Sequence, residues 1–218
     1  MPVLTISTPC LFKTLAMAVS RQALVQHAIF TTLSAHPSPG SAAGWWFENC
    51  AHVRFSDPTR SRIPTHIRGV SDPPSTPAPK TVLSGADALR NIKKPFNFYW
   101  RPRDPNFEGI DALIRVKNEI QVLQYTRSSS HGSTTNGLEE IRKRMNYKRN
   151  VNWHLVLVGP DLSLAESARD SHKLTGGWEN TPIYSCQLDL GNINRKMWDK
   201  VFDEINMQRN SWVYKNWH

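Results

Sequence analysis

Regular hydrophobic periods are confined to the middle of the chain. Residues 41–55 lack proline and space Trp45, Glu48 and His52 at i, i+3 and i+7. That spacing predicts a helix carrying the three on one face. Phe98-Tyr99-Trp100 predicts a short strand, broken by Arg101-Pro102-Arg103-Asp104-Pro105. Ile110–Lys117 and Glu119–Thr126 are two runs rich in β-branched residues joined at Asn118, the pattern of a hairpin. Asn136 followed by Glu139 resembles a capping box and predicts a helix with Leu138, Ile141 and Met145 on its buried stripe. Trp153–Val158 reads as a buried strand closed by Gly159-Pro160, and Ile183–Leu190 as another. Met197, Val201 and Ile205 are in register for a final amphipathic helix over 194–207. The order predicts an α/β fold around a mixed central β-sheet flanked by helices.

The flanks read differently. Residues 1–40 carry no sustained period and form a poorly patterned N-terminal arm, and 211–218 form a C-terminal tail. Residues 56–80 hold six prolines among Ser, Thr and Arg, which predicts an extended insert without a packed core. The domain expected between arm and tail spans 41–210.

Composition narrows the function classes. A chain of 218 residues with 39% hydrophobic residues can bury a real core. Three scattered cysteines without a CxxC argue against a zinc ribbon or a disulfide framework. No stretch approaches the ~20 apolar residues of a membrane span. The run Leu11–Val19 is interrupted by Lys13 and makes a poor signal peptide. A net charge of +9 favours an anionic partner, with nucleic acid ahead of an acidic membrane.

The hairpin concentrates candidate chemistry. A turn centred between Lys117 and Asn118 pairs Asp111 with Gln124; one residue later it pairs Asp111 with Thr126; a slip between the two sets Asp111 against Tyr125 and splits the cluster. In either of the first two registers an acid and two oxygen-bearing side chains converge. The bland alternative makes Gln124 and Thr126 polar edge residues and Asp111 a loop cap.

Phe98-Tyr99-Trp100-Arg101-Pro102, the stretch Asn106–Leu113, and Gln124-Tyr125-Thr126 followed by His131 and Gly137-Leu138 resemble the C-terminal domain of Crinkler-type proteins of fungi and oomycetes. That domain is related to retrotransposon-hot-spot proteins and belongs to the restriction-endonuclease-like PD-(D/E)xK superfamily. Gly44-Trp45-Trp46-Phe47-Glu48, with Ala51-His52, is similar to the family's first helix. The resemblance implies a restriction-endonuclease-like core and a divalent-metal nuclease. Glu48, Asp111 and Gln124 would hold Mg²⁺ or Mn²⁺, with Gln124, Thr126 and His131 as further catalytic positions. Thr126 stands where a lysine is usual and carries no positive charge to steady a phosphate. Either Lys143 or His131 substitutes for it, or the domain binds without cutting. Arg142, Lys143, Arg144 and Lys148 form a basic helix face that could follow a phosphate backbone, DNA ahead of RNA. A solvated helix face is the bland reading of the same run. The resemblance also implies a nucleus-directed effector, and enzymes that cut both strands often work as pairs of copies.

Overall fold

The computed structural model describes residues 42–67, 74–92, 96–102, 107, 109–129, 133–145 and 151–189. The chain divides into two units, 47–189 and the flanking stretches 1–46 with 190–218. The expected final helix over 194–207 lies outside the described residues.

The described elements are α1 (Ala42–Ser56), β1 (Thr81–Ser84), α2 (Ala86–Arg90), β2 (Asn97–Arg101), β3 (Ala112–Val116), β4 (Glu119–Tyr125), α3 (Thr135–Met145), β5 (Asn152–Gly159), α4 (Leu162–Ser171) and β6 (Ile183–Gln187). The six strands form one sheet in the order β1-β2-β3-β4-β5-β6. β2–β3 and β3–β4 are antiparallel; β1–β2, β4–β5 and β5–β6 are parallel. The fold is therefore α/β with a mixed sheet, as expected.

The hairpin adopts the first of the registers considered. Val116 pairs with Glu119 and Ala112 with Leu123 across a two-residue turn at Lys117-Asn118. Lys117 enters the left-handed region at φ 55°, which costs a residue with a Cβ. The turn is held nonetheless: the Lys117 amide donates to Phe96 O at 2.7 Å, and Arg115 Nε donates to Lys117 O at 3.0 Å.

Strand alternation gives the sheet two unlike faces. On one, Phe98, Trp100, Leu113, Val122 and Leu155 form an apolar core with Leu138, Ile141 and Met145 of α3. The i, i+3, i+7 stripe of α3 is buried as its spacing predicts. Its start differs from the expectation. The helix begins at Thr135, so Asn136 lies inside the first turn, and Glu139 accepts from Trp178 Nε1 and Arg142 instead of reaching back. The opposite face carries Tyr99 and Tyr125 beneath α1, where Phe55 stacks on Tyr125 at 6.0 Å.

Two helices escaped the sequence reading. α2 is only five residues long. α4 buries only Ala165 and Ala168, too little for an apolar stripe, although Asp161 caps it by accepting from the Leu164 amide at 2.8 Å. Those alanines let α4 sit close to β5: a Cβ on Gly159 would meet Ala165 Cβ at 3.2 Å and Asp161 O at 3.0 Å.

The proline-rich segment needs a correction. Its described parts are packed, with Ile63, Thr65 and Thr76 buried and Ile63 bridged to Thr76. His66 forms an antiparallel bridge to Ser185 on the edge strand β6. Prolines bring no amide donor, so the carbonyls around them need another source. The buried Arg60 guanidinium supplies it, donating to Ser61 O, Thr76 O and Pro77 O at 3.0, 2.8 and 2.5 Å. Composition forecasts the missing amides but not the single arginine that replaces them.

Candidate functional site

The site is built from α1, the entry to β3 and the end of β4. Helix α1 is buried at Phe47, Cys50, Ala51 and Phe55, and Glu48 and His52 lie one step around from that stripe. Glu48 is 43% exposed whereas the His52 ring is almost wholly enclosed, and His52 Nε2 lies 3.5 Å from Glu48 Oε1. The one-turn spacing seen in the sequence therefore brings the two together. Trp45, expected on the same face, has a side chain outside the described set.

Asp111 precedes β3 by one residue, where the ladder is offset. Its amide donates to Leu123 O at 3.1 Å although Ala112 is the partner of Leu123. Two consecutive residues thus face one, the arrangement of a β-bulge, which re-aims a side chain at a strand end. Asp111 Oδ2 accepts from the Tyr125 amide at 2.6 Å. Gly109, at φ 62°, makes this approach feasible, because a Cβ there would stand 3.1–3.2 Å from Ser133 and Thr134 at the start of α3.

Burial first, and the Glu48 carboxylate second, push the Asp111 carboxyl up to about 7, against the opposing effect of the Tyr125 amide. A helix carboxylate thus acts on a carboxyl at a strand entry, and the helix carboxylate is partly open to solvent. The Tyr125 phenol is raised well above its ordinary range, by burial first and then by Tyr99, Asp111 and Glu48.

Beyond His52, two residues join the pair that sequence reasoning did not assemble, Tyr99 and Tyr125. His52 Nδ1 lies 2.5 Å from Tyr99 Oη, and Tyr99 Oη lies 3.1 Å from Tyr125 Oη. The His52 ring meets Tyr125 edge-on at 5.2 Å. The signal for the tyrosines was their odd strand parity, which opposes that of Trp100 and Gln124. Knowing which helix covers that face requires the tertiary arrangement.

The remaining expected residues divide. Gln124 is buried on β4, one residue beyond the Ala112–Leu123 pair, and its strand partner on β5 is Leu157. Thr126 is buried, and its hydroxyl donates to Ser128 O at 2.7 Å and accepts from the Ser128 amide at 3.0 Å, closing a turn after β4. Arg142 pairs with Glu139 at 2.7 Å and lies over the Trp178 ring; Arg144 pairs with Glu140 at 2.6 Å and lies over Phe107. Lys143 is exposed. His131 and Lys148 lie outside the described residues.

All oxygen donors in the pocket are hard, which suits Mg²⁺ or Mn²⁺ better than zinc. Among the described residues no group of three His, Cys, Asp or Glu is assembled for a metal. Two carboxylates, with water and substrate oxygens completing the shell, are the ordinary way proteins hold Mg²⁺. No described helix is long and apolar enough to cross a membrane. No family model, curated protein or solved structure matches the chain.

Proposed function

We propose that the 47–189 unit is a divalent-metal-dependent nuclease-like domain of the restriction-endonuclease-like type, acting on the phosphodiester backbone of DNA. The observation that carries this reading is the Glu48–Asp111 pair, two carboxylates held close enough that one raises the proton affinity of the other. Such a pair is costly without a cation and favourable with one. Support comes from the placement of the acids, one on a helix and one at the entry to a strand, with Gln124 on the next strand. The net charge of +9 suits a polyanionic substrate.

A bound Mg²⁺ would polarise the scissile phosphate and lower the pKa of an attacking water. Within this chain, Glu48 and Asp111 would hold and orient the cation, while Gln124, by strand parity on the face of Val122 and Leu157, stands apart from the Tyr125 face that Glu48 covers. The Tyr125 amide fixes the Asp111 carboxyl at 2.6 Å.

A second reading is a nucleic-acid-binding module that does not cut. It is favoured by Thr126, whose hydroxyl is committed to Ser128 where a lysine would act. Incubation of plasmid DNA with the purified protein in Mg²⁺, Mn²⁺ or EDTA separates the two. The nuclease reading expects metal-dependent nicking that Asp111→Ala abolishes while DNA binding in EDTA persists. A folded protein that binds plasmid and leaves it intact in every metal supports the second reading and overturns the first.

A further inference from the structure

The described contacts form a chain that runs from Glu48 to Asp111. Starting at the exposed acid, Glu48 meets His52 Nε2 at 3.5 Å, His52 Nδ1 meets the Tyr99 hydroxyl at 2.5 Å, and that hydroxyl meets the Tyr125 hydroxyl at 3.1 Å. Tyr125 then continues through its own backbone, its amide donating to Asp111 Oδ2 at 2.6 Å. One residue, Tyr125, therefore holds both acids, one by its main chain and one through its side chain.

The chemistry of the groups assigns a direction to this chain. A neutral imidazole has one donor and one acceptor nitrogen. The ring edge facing the Glu48 carboxylate must carry the N–H, because a lone pair there would face negative charge. Nδ1 is then the acceptor, so Tyr99 donates to it, and the Tyr99 oxygen accepts the proton of Tyr125. Each buried hydroxyl donates once, and every proton points towards Glu48. His52 engages Oε1 and leaves Oε2 of the same carboxylate for another partner.

The geometry points to His52, Tyr99 and Tyr125 as positioning residues that fix the orientation of Glu48 relative to Asp111 for a single divalent cation. This rests on the metal reading of the two acids and adds the device that sets their spacing. Here an imidazole–carboxylate contact, backed by two hydroxyl hydrogen bonds, stands behind the ligand. Outer-shell partners orient ligands and are worth roughly 10- to 100-fold in metal affinity.

Mn²⁺ titration followed by electron paramagnetic resonance, with thermal unfolding of the metal-free protein in parallel, tests it. Tyr99→Phe deletes one oxygen and keeps the ring; its Mn²⁺ affinity should fall about tenfold. Tyr125→Phe keeps the amide on Asp111 and the Tyr99–His52 contact, so its loss should be smaller but measurable. Thermal midpoints should not follow that order, because both variants remove one buried hydroxyl. Wild-type affinity in a folded Tyr99→Phe protein would overturn the positioning role and leave the metal site standing. Should Tyr99→Phe fail to fold, unchanged affinity in Tyr125→Phe would overturn it equally. Absence of Mn²⁺ binding by the wild-type protein would overturn both this role and the metal reading.

Discussion

The two faces of the central sheet are made by the same strands and are built to opposite specifications. Towards α3 the strands present Phe98, Trp100, Leu113, Val122 and Leu155 to an apolar helix stripe, and the result is a dry core. Towards α1, at odd spacing from Trp100 and Val122 on the same strands, Tyr99 presents its hydroxyl to His52 and Tyr125 presents its own to Tyr99. Close packing alone would be served by phenylalanine at both positions. A buried polar chain is tolerated only when its members satisfy one another, and this one terminates on two acids that repel. The α3 face is an apolar core, and the α1 face carries a buried imidazole and two hydroxyls.

That contrast can be broken most forcefully at Asp111. Asp111→Ala should lower metal-dependent cleavage on the order of a thousandfold, since metal catalysis supplies several kcal/mol of barrier lowering. The thermal midpoint of the metal-free protein should not fall with it. On the other face, Leu138→Ala empties a fully buried position and should cost about 2–5 kcal/mol. Its activity per folded molecule should stay near wild type, read by urea unfolding alongside the nicking assay.

The next effect depends on pH. With its carboxyl pushed up to about 7 from an ordinary value of 3.8, Asp111 keeps its proton in the fold after the unfolded chain has released it. Between those values the folded state binds more protons, so its contribution to stability falls as pH rises through the window. The full shift amounts to at most on the order of 4 kcal/mol, less what solvent screens. Asp111→Asn should flatten this fall, so that the wild-type urea midpoint drops between pH 4 and pH 8 in EDTA while that of the variant does not. Mg²⁺ should restore the wild-type midpoint at pH 8 and leave the variant unmoved.

Smallest of all are the effects on the surface of α3. Arg142 is already engaged by Glu139 and Trp178, whereas Lys143 is exposed. Lys143→Ala should reduce the slope of log affinity against log salt by about 1, as expected for one lost phosphate contact. Arg142→Ala should change it less. Equal slopes in the two variants would remove the distinction between paired and available charge on this helix.

How much of this was legible beforehand depends on the range of the interactions. The hairpin was readable because two β-branched runs flank a two-residue turn, and turn length fixes register. Glu48 and His52 were readable as neighbours because helical spacing is local. The α3 stripe was readable for the same reason. Sequence periodicity could not place α1 over Tyr99 and Tyr125, since that depends on which sheet face a distant helix covers. Nor could it forecast that Arg60 would serve the carbonyls of a proline-rich segment and tie it down. The offset at Asp111, where its amide reaches Leu123 O and its carboxyl the Tyr125 amide, was equally hidden.

The central claim is that Glu48 and Asp111 hold one divalent cation between them. Mn²⁺ titration of the wild-type protein, Glu48→Gln and Asp111→Asn tests it most directly. The account predicts a single site in the wild type that each substitution weakens severely while the protein stays folded. Mn²⁺ binding of wild-type strength in both variants, or none in the wild type, would contradict it.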